Sequence, residues 1–116
     1  MQSFKDLIVW QKAFDLAMEI YQITNLFPRV ELYGLSSQMR RSAVSISSNI
    51  AEGFNRNNKR ESLQFIMIAF GSSAELETQL LLAEKLRFVN KTQFQKSYSL
   101  LEEVRKILST VRKKSS

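Results

Sequence analysis

The sequence predicts an all-α fold: one domain, residues 1–116, built as an antiparallel up-down-up-down four-helix bundle. Three observations predict it. Apolar residues recur at steps of three and four through four separate stretches, the period of a helix that turns one face to a core. One proline and three glycines leave few places for a helix to break. The stretches are joined by short polar connectors, which make neighbouring helices antiparallel.

The first helix is expected over about 4–26. Ser3 and Asp6 stand at capping-box spacing before it. Leu7, Trp10, Phe14, Ala17, Tyr21 and Thr24 form one seam, and Val9, Ala13, Leu16, Ile20, Ile23 and Phe27 form a second. One seam satisfies a bundle core. A second implies that the helix is wedged inside the bundle or that its outer face meets another chain. Trp10 is therefore a candidate for an oligomer interface, with plain core as the competing reading. Pro28 closes the helix, and residues 29–34 connect it to the next.

The second helix is expected over about 35–52, with Gly53 as its C-cap. Leu35, Met39, Ala43, Ile46 and Ile50 make its apolar stripe. Another stripe carries Ser37, Arg41, Ser45, Ser48 and Glu52. Serine is a mediocre helix former because its hydroxyl competes for the backbone, so packing and polar contacts must hold this helix. Arg41, Ser45, Asn49, Glu52 and Glu75 are read as a structural polar motif, with Arg41 the expected buried partner of Glu75 or Glu77. Glu52 and Arg56, separated by Gly53, are expected to meet as a loop contact.

The third helix, about 59–86, starts from Asn58 with Glu61 three residues on. Residues 65–70 are apolar on every side and are expected to be the most enclosed segment, with Phe65 a candidate contact between copies. Gly71 costs about 1 kcal/mol inside a helix, which predicts the close approach of another helix there. The fourth helix, about 91–112, carries Phe94, Tyr98, Leu101, Val104, Leu108 and Val111, and residues 112–116 are expected to fray.

Composition excludes most chemistry. The chain has no cysteine and no histidine. A disulfide framework, a thiolate metal site, a cysteine nucleophile and a serine–histidine triad are therefore all excluded. The Glu-x-x-His pattern of di-iron bundles is excluded too. Glu75 and Glu77 point to different sides of a helix and make no acid–base pair. No enzyme activity, cofactor or metal is expected. The start of the chain lacks the order of a signal peptide. The longest apolar run is short of the ~18–20 residues that span a bilayer, so the expectation is a cytoplasmic protein with no membrane partner.

The formal charge of +6 favours polyanions. Candidate nucleic-acid contacts are Arg40, Arg56, Lys59, Arg60, Arg105, Lys106, Arg112 and Lys113. The last four also suit the end of a helix, where cations complement its dipole. Lys59 and Arg60 stand in a first turn, where the same dipole disfavours them, and this points to a bound anion.

The runs Asp6-Leu7-Ile8-Val9-Trp10-Gln11-Lys12-Ala13, Phe27-Pro28 with Glu31 and Tyr33-Gly34-Leu35, and Gln38-Met39-Arg40-Arg41-Ser42-Ala43-Val44-Ser45-Ile46 leading to Asn49-Ile50-Ala51-Glu52-Gly53 carry a resemblance, continued by Gly71-Ser72 and Glu75-Leu76. Together they resemble the four-helix-bundle proteins encoded by intervening sequences in bacterial 23S ribosomal RNA genes. Ser47 departs from the pattern, since many relatives carry proline there. The resemblance implies an antiparallel bundle that associates as a homopentamer. The family is similar to accessory proteins of diversity-generating retroelements, which are basic bundles that bind a reverse transcriptase and nucleic acid. Its name records a genomic location and implies no activity. Two readings lead, an oligomer that presents basic surface to RNA or DNA, with or without a protein partner, and a protein-only adaptor or structural oligomer; a third, a nuclease that processes the intervening RNA, has only the family's gene context behind it.

Overall fold

The structure, a computed structural model, describes residues 3–115. Residues 1, 2 and 116 of the expected domain lie outside the described residues. Four α-helices follow in order: α1 (Ile8–Thr24), α2 (Leu35–Phe54), α3 (Lys59–Lys85) and α4 (Lys91–Ser115). Each packs against its two neighbours around a square, so α1 touches α2 and α4 and does not touch α3. Inter-helix pairs fix the directions. Lys12 meets Glu103 and Glu19 meets Lys96, while Ser45 meets Ser72 and Gly53 meets Ser62, so partners run in opposite senses. The fold is the antiparallel four-helix bundle that the periodicity predicts.

The second seam of α1 is the core seam. Ala13, Leu16, Ile20 and Ile23 are buried against Met39, Ala43, Ile46 and Ile50 of α2. Leu76 and Leu80 of α3 and Leu101, Val104 and Leu108 of α4 complete the core. At ~25 cal/mol per Å² of apolar area, each leucine, isoleucine, valine or methionine among them contributes about 1.5–3 kcal/mol, and each alanine less.

Helix ends differ from the sequence expectation in instructive ways. The Ser3–Asp6 capping box forms, but it caps a 3₁₀ turn, Phe4–Asp6, and the chain straightens at Leu7 (ψ 126°) before α1 begins. α4 continues through Ser115 where fraying is expected, since Arg112 still packs on α3. Gly53 does not cap α2. The helix runs past it to Phe54, and Gly53 is buried where α3 comes closest. A Cβ there would lie 3.1 Å from the Ser62 carbonyl oxygen and 3.3 Å from the Phe65 Cβ. Gly71 shows the reverse: it faces open space, and a Cβ there would find nothing within 4 Å. The close approach predicted at Gly71 is therefore made by Gly53. The left-handed residue at the end of α3 is not a glycine either. Arg87 takes φ 64°, and the next amide, of Phe88, donates to Ala83 O at 2.9 Å.

Residues 65–70 are not the most enclosed segment. Ala69 is buried, but Met67 is 43% and Ile68 51% exposed. The cause is geometric: a corner helix of a four-helix square has two neighbours, so an all-round apolar turn must leave one side bare. Leu81, Leu82 and Leu86 are exposed as well, so α3 turns apolar side chains outward near both of its ends. By length and composition α3 also meets the requirement for crossing a membrane, although its Leu76, Leu80 and Ala83 are buried in the bundle core.

Candidate nucleic-acid and self-association surfaces

Antiparallel packing sorts the basic residues to the two ends of the bundle. At the end holding the α2–α3 loop, Arg56 pairs with Glu52 at 2.9 Å and lies 4.7 Å from the centroid of Phe65. The expected Glu52–Arg56 contact thus reaches across the last turn of α2. Asn58 caps α3 by accepting from the amides of Arg60 (2.8 Å) and Glu61 (3.2 Å). This orders the turn that carries the Lys59 and Arg60 side chains outward. Both are exposed and make no ion pair among the described residues. Arg112, from the last turns of α4, stacks 4.8 Å above Phe70, and Lys113 beyond it is exposed. Lys106 is exposed on the same helix.

Arg105 is not available in that way. Its Nη1 pairs with Glu77 Oε1, its Nε donates to Ser73 Oγ at 3.0 Å, and its guanidinium stacks 4.9 Å above Phe70. Tyr98 donates to the second carboxylate oxygen of Glu77 at 2.6 Å. That hydrogen bond, with burial and the negative field of Glu77 and Glu102, raises the Tyr98 phenol above its ordinary 10.0, against a smaller opposite pull from Arg105. Arg105 is the cation that Glu77 takes. The expected partner, Arg41, sits on α2, on the far side of α3 from α4, and is exposed.

The polar motif of α2 divides. Asn49 Nδ2 donates to Ser45 O (2.8 Å) and to Ser45 Oγ (3.1 Å), and Ser45 Oγ meets Ser72 Oγ at 2.8 Å, tying α2 to α3. Glu52 is elsewhere, on Arg56. Arg41 and Glu75 line one polar hollow of about 350 Å³ with Ser42, Ser72 and Gln79, without forming an ion pair, and Gln79 Oε1 is buried there with no donor. Ser47 Oγ donates to Val44 O at 3.2 Å, and α2 passes through it unbroken.

Arg40 is half-buried and pinned by α1: Nε donates to Thr24 Oγ1 at 2.9 Å, Nη2 to Asn25 Oδ1 at 3.0 Å, and the guanidinium lies 5.0 Å from the Tyr21 centroid. It borders a cleft of about 660 Å³ between α1, α2 and their connector, shared with Tyr21, Leu32, Tyr33, Arg41 and Val44. Sequence reasoning missed Tyr21 and Tyr33 here. Tyr21 reads as seam and Tyr33 as connector, and only the fold brings them to one cleft.

Trp10 is half-buried, stacked on Phe14 at 5.0 Å and edge-on to Phe4 at 5.2 Å. Phe65 is half-buried under Arg56. The large apolar side chains left exposed on helices concentrate on α1 (Ile8, Phe14, Met18, Tyr21) and on α3 (Met67, Ile68, Leu81, Leu82). Among the described residues no group of three or more acidic, histidine or cysteine side chains is placed to hold a metal.

A family model described as 23S rRNA-intervening sequence protein matches residues 5–110. A crystal structure from Bacteroides thetaiotaomicron, of a protein with unknown function from the S23 ribosomal protein family, superposes with a TM-score of 0.84 at 23% identity. The superposition covers 91% of this chain and 99% of that one. No curated protein matches the chain.

Proposed function

The chain belongs to the 23S rRNA-intervening sequence protein family, and from that premise we propose that it is a non-enzymatic, self-associating, cytoplasmic bundle that binds RNA or DNA through basic surface. The observation that carries the nucleic-acid part is the bundle end where Lys59 and Arg60 stand exposed and form no ion pair among the described residues. Unneutralised cations on one face attract phosphate and release its counterions. Self-association is supported by the large apolar side chains left open on α1 and α3, surface that a contact between copies would cover. A homopentamer, and a working likeness to retroelement accessory proteins with their protein partner, follow from the resemblance and belong to this proposal. Repetition of a weak basic patch around an assembly would raise avidity without any new contact.

The native mass of purified protein, measured with and without added RNA, tests both parts. The expected result is a multiple of the 13.5 kDa subunit that gains mass with RNA. A monomer at high concentration overturns the association. An oligomer indifferent to RNA leaves the protein-only adaptor, a reading favoured by the engagement of Arg56 and Arg105 in contacts within the subunit.

A further inference from the structure

The cleft at the opposite end of the bundle has a chemistry of its own. Tyr33, in the α1–α2 connector, is 93% exposed, a flat ring with almost no packing to hold. Tyr21 faces the same cleft beneath Arg40. Thr24 and Asn25 orient Arg40 through neutral oxygens, so its position is fixed while its charge is uncompensated. Arg56 and Arg105, by contrast, each end on a carboxylate. Arg41 stands on the cleft wall. Arg29 lines a hollow of about 360 Å³ that joins the cleft at Leu32 and Arg40. Neither space is lined by an aspartate or glutamate. Glu31, the acidic residue of the connector, accepts from the Leu35 amide at 3.2 Å and so caps α2.

Arginines on the walls of spaces that no carboxylate lines draw phosphate, although Arg41 also borders the hollow that holds Glu75. Exposed aromatic faces beside them stack bases, an interaction that every base can make. A duplex keeps its base faces inside its own stack, so only a single strand can use both features together. A second copy of this chain, itself carrying +6, is the poorer electrostatic match. We propose that the cleft of Tyr21, Tyr33, Arg29, Arg40 and Arg41 binds single-stranded nucleic acid, with a base stacked on Tyr33 and flanking phosphates on the arginines. This rests on the nucleic-acid reading above. It narrows that reading to one form of ligand and to a second end of the bundle.

The test is fluorescence anisotropy of the full chain with labelled oligouridylate, oligothymidylate and an RNA duplex of equal length. Wild type is compared with Tyr33→Ala and Tyr33→Phe, with native mass measured alongside. Tyr33 packs on so little that both variants should melt like wild type. The expected result is tighter binding of single strands than of duplex. Tyr33→Ala should weaken the single-strand affinity on the order of ten-fold and leave the duplex unchanged, while Tyr33→Phe retains binding. The uridylate and thymidylate arms separate RNA from DNA, and preference for either over duplex supports the cleft. Salt-sensitive binding that ignores Tyr33→Ala, or duplex bound as tightly as single strand, overturns the cleft and leaves the charge-driven reading standing. Absence of binding to every probe at low salt overturns both. A Tyr33→Ala protein with altered native mass and unchanged strand affinity overturns the cleft in favour of a contact between copies.

Discussion

Glu77 shows how one side chain sets the register of a helix pair. Its two carboxylate oxygens take Tyr98 and Arg105, seven residues apart on α4, so a slip by one turn would lose both contacts. The raised Tyr98 phenol gives this a pH signature. Below pH 10 the phenol is protonated in folded and unfolded chains alike and its contribution is intact; as pH rises through the folded value the contribution is lost, because the unfolded chain releases the proton first. Urea midpoints for wild type should therefore fall across the alkaline range, and Tyr98→Phe should remove that component of the fall. At neutral pH the same variant should cost about 1 kcal/mol, the worth of one hydrogen bond to a charged group at a half-exposed site. Gly53 is the other residue with a sharp expectation. The atom nearest its missing Cβ is a backbone oxygen, which moves only if α3 moves. Gly53→Ala should destabilise by about 1–3 kcal/mol in denaturant titrations.

At the scale of the helix, α3 separates what periodicity reveals from what it hides. Spacing places Leu76, Leu80 and Ala83 on one face, and they are buried. Spacing also shows that residues 65–70 have no polar side, but it cannot say that a corner helix has only two neighbours. The two glycines were exchanged for the same reason. A glycine in a helical pattern announces an open position on one face, and only the partner's path decides whether that face meets backbone, as at Gly53, or solvent, as at Gly71. The polar contacts were legible in part. Ser45 and Asn49, four apart, can be paired by counting turns; Arg105 with Glu77 depends on which helices adjoin, and the sequence reading offered Arg41 in its place. Gly71→Ala places a methyl in open space and should stabilise the isolated subunit by about 0.5–1 kcal/mol, read as a higher midpoint in urea. Should α3 be a contact between copies, the same variant will lower the native mass, so the two measurements are made on one sample.

Across the whole molecule, the 43 Å length of the bundle keeps its two basic ends apart by far more than the ~10 Å over which charges interact at moderate salt. Contributions from the ends should therefore add. The double variant Lys59→Ala/Arg60→Ala is expected to reduce the slope of log affinity against log salt by about 1 for each phosphate contact removed, while leaving the contribution of Tyr33 unchanged. An unaltered slope would show that this end holds no phosphate. The square arrangement has a last consequence. α1 and α3, which carry most of the exposed apolar side chains of the helices, sit at opposite corners, so under the self-association proposed above one subunit would present two unlike faces rather than one that mates with its own twin. Growth by such faces is directional, and it stops only when the final copy reaches the first or the supply runs out. The number of copies then depends on the angle between the two corners, and a change that re-aims a helix would alter stoichiometry without touching affinity.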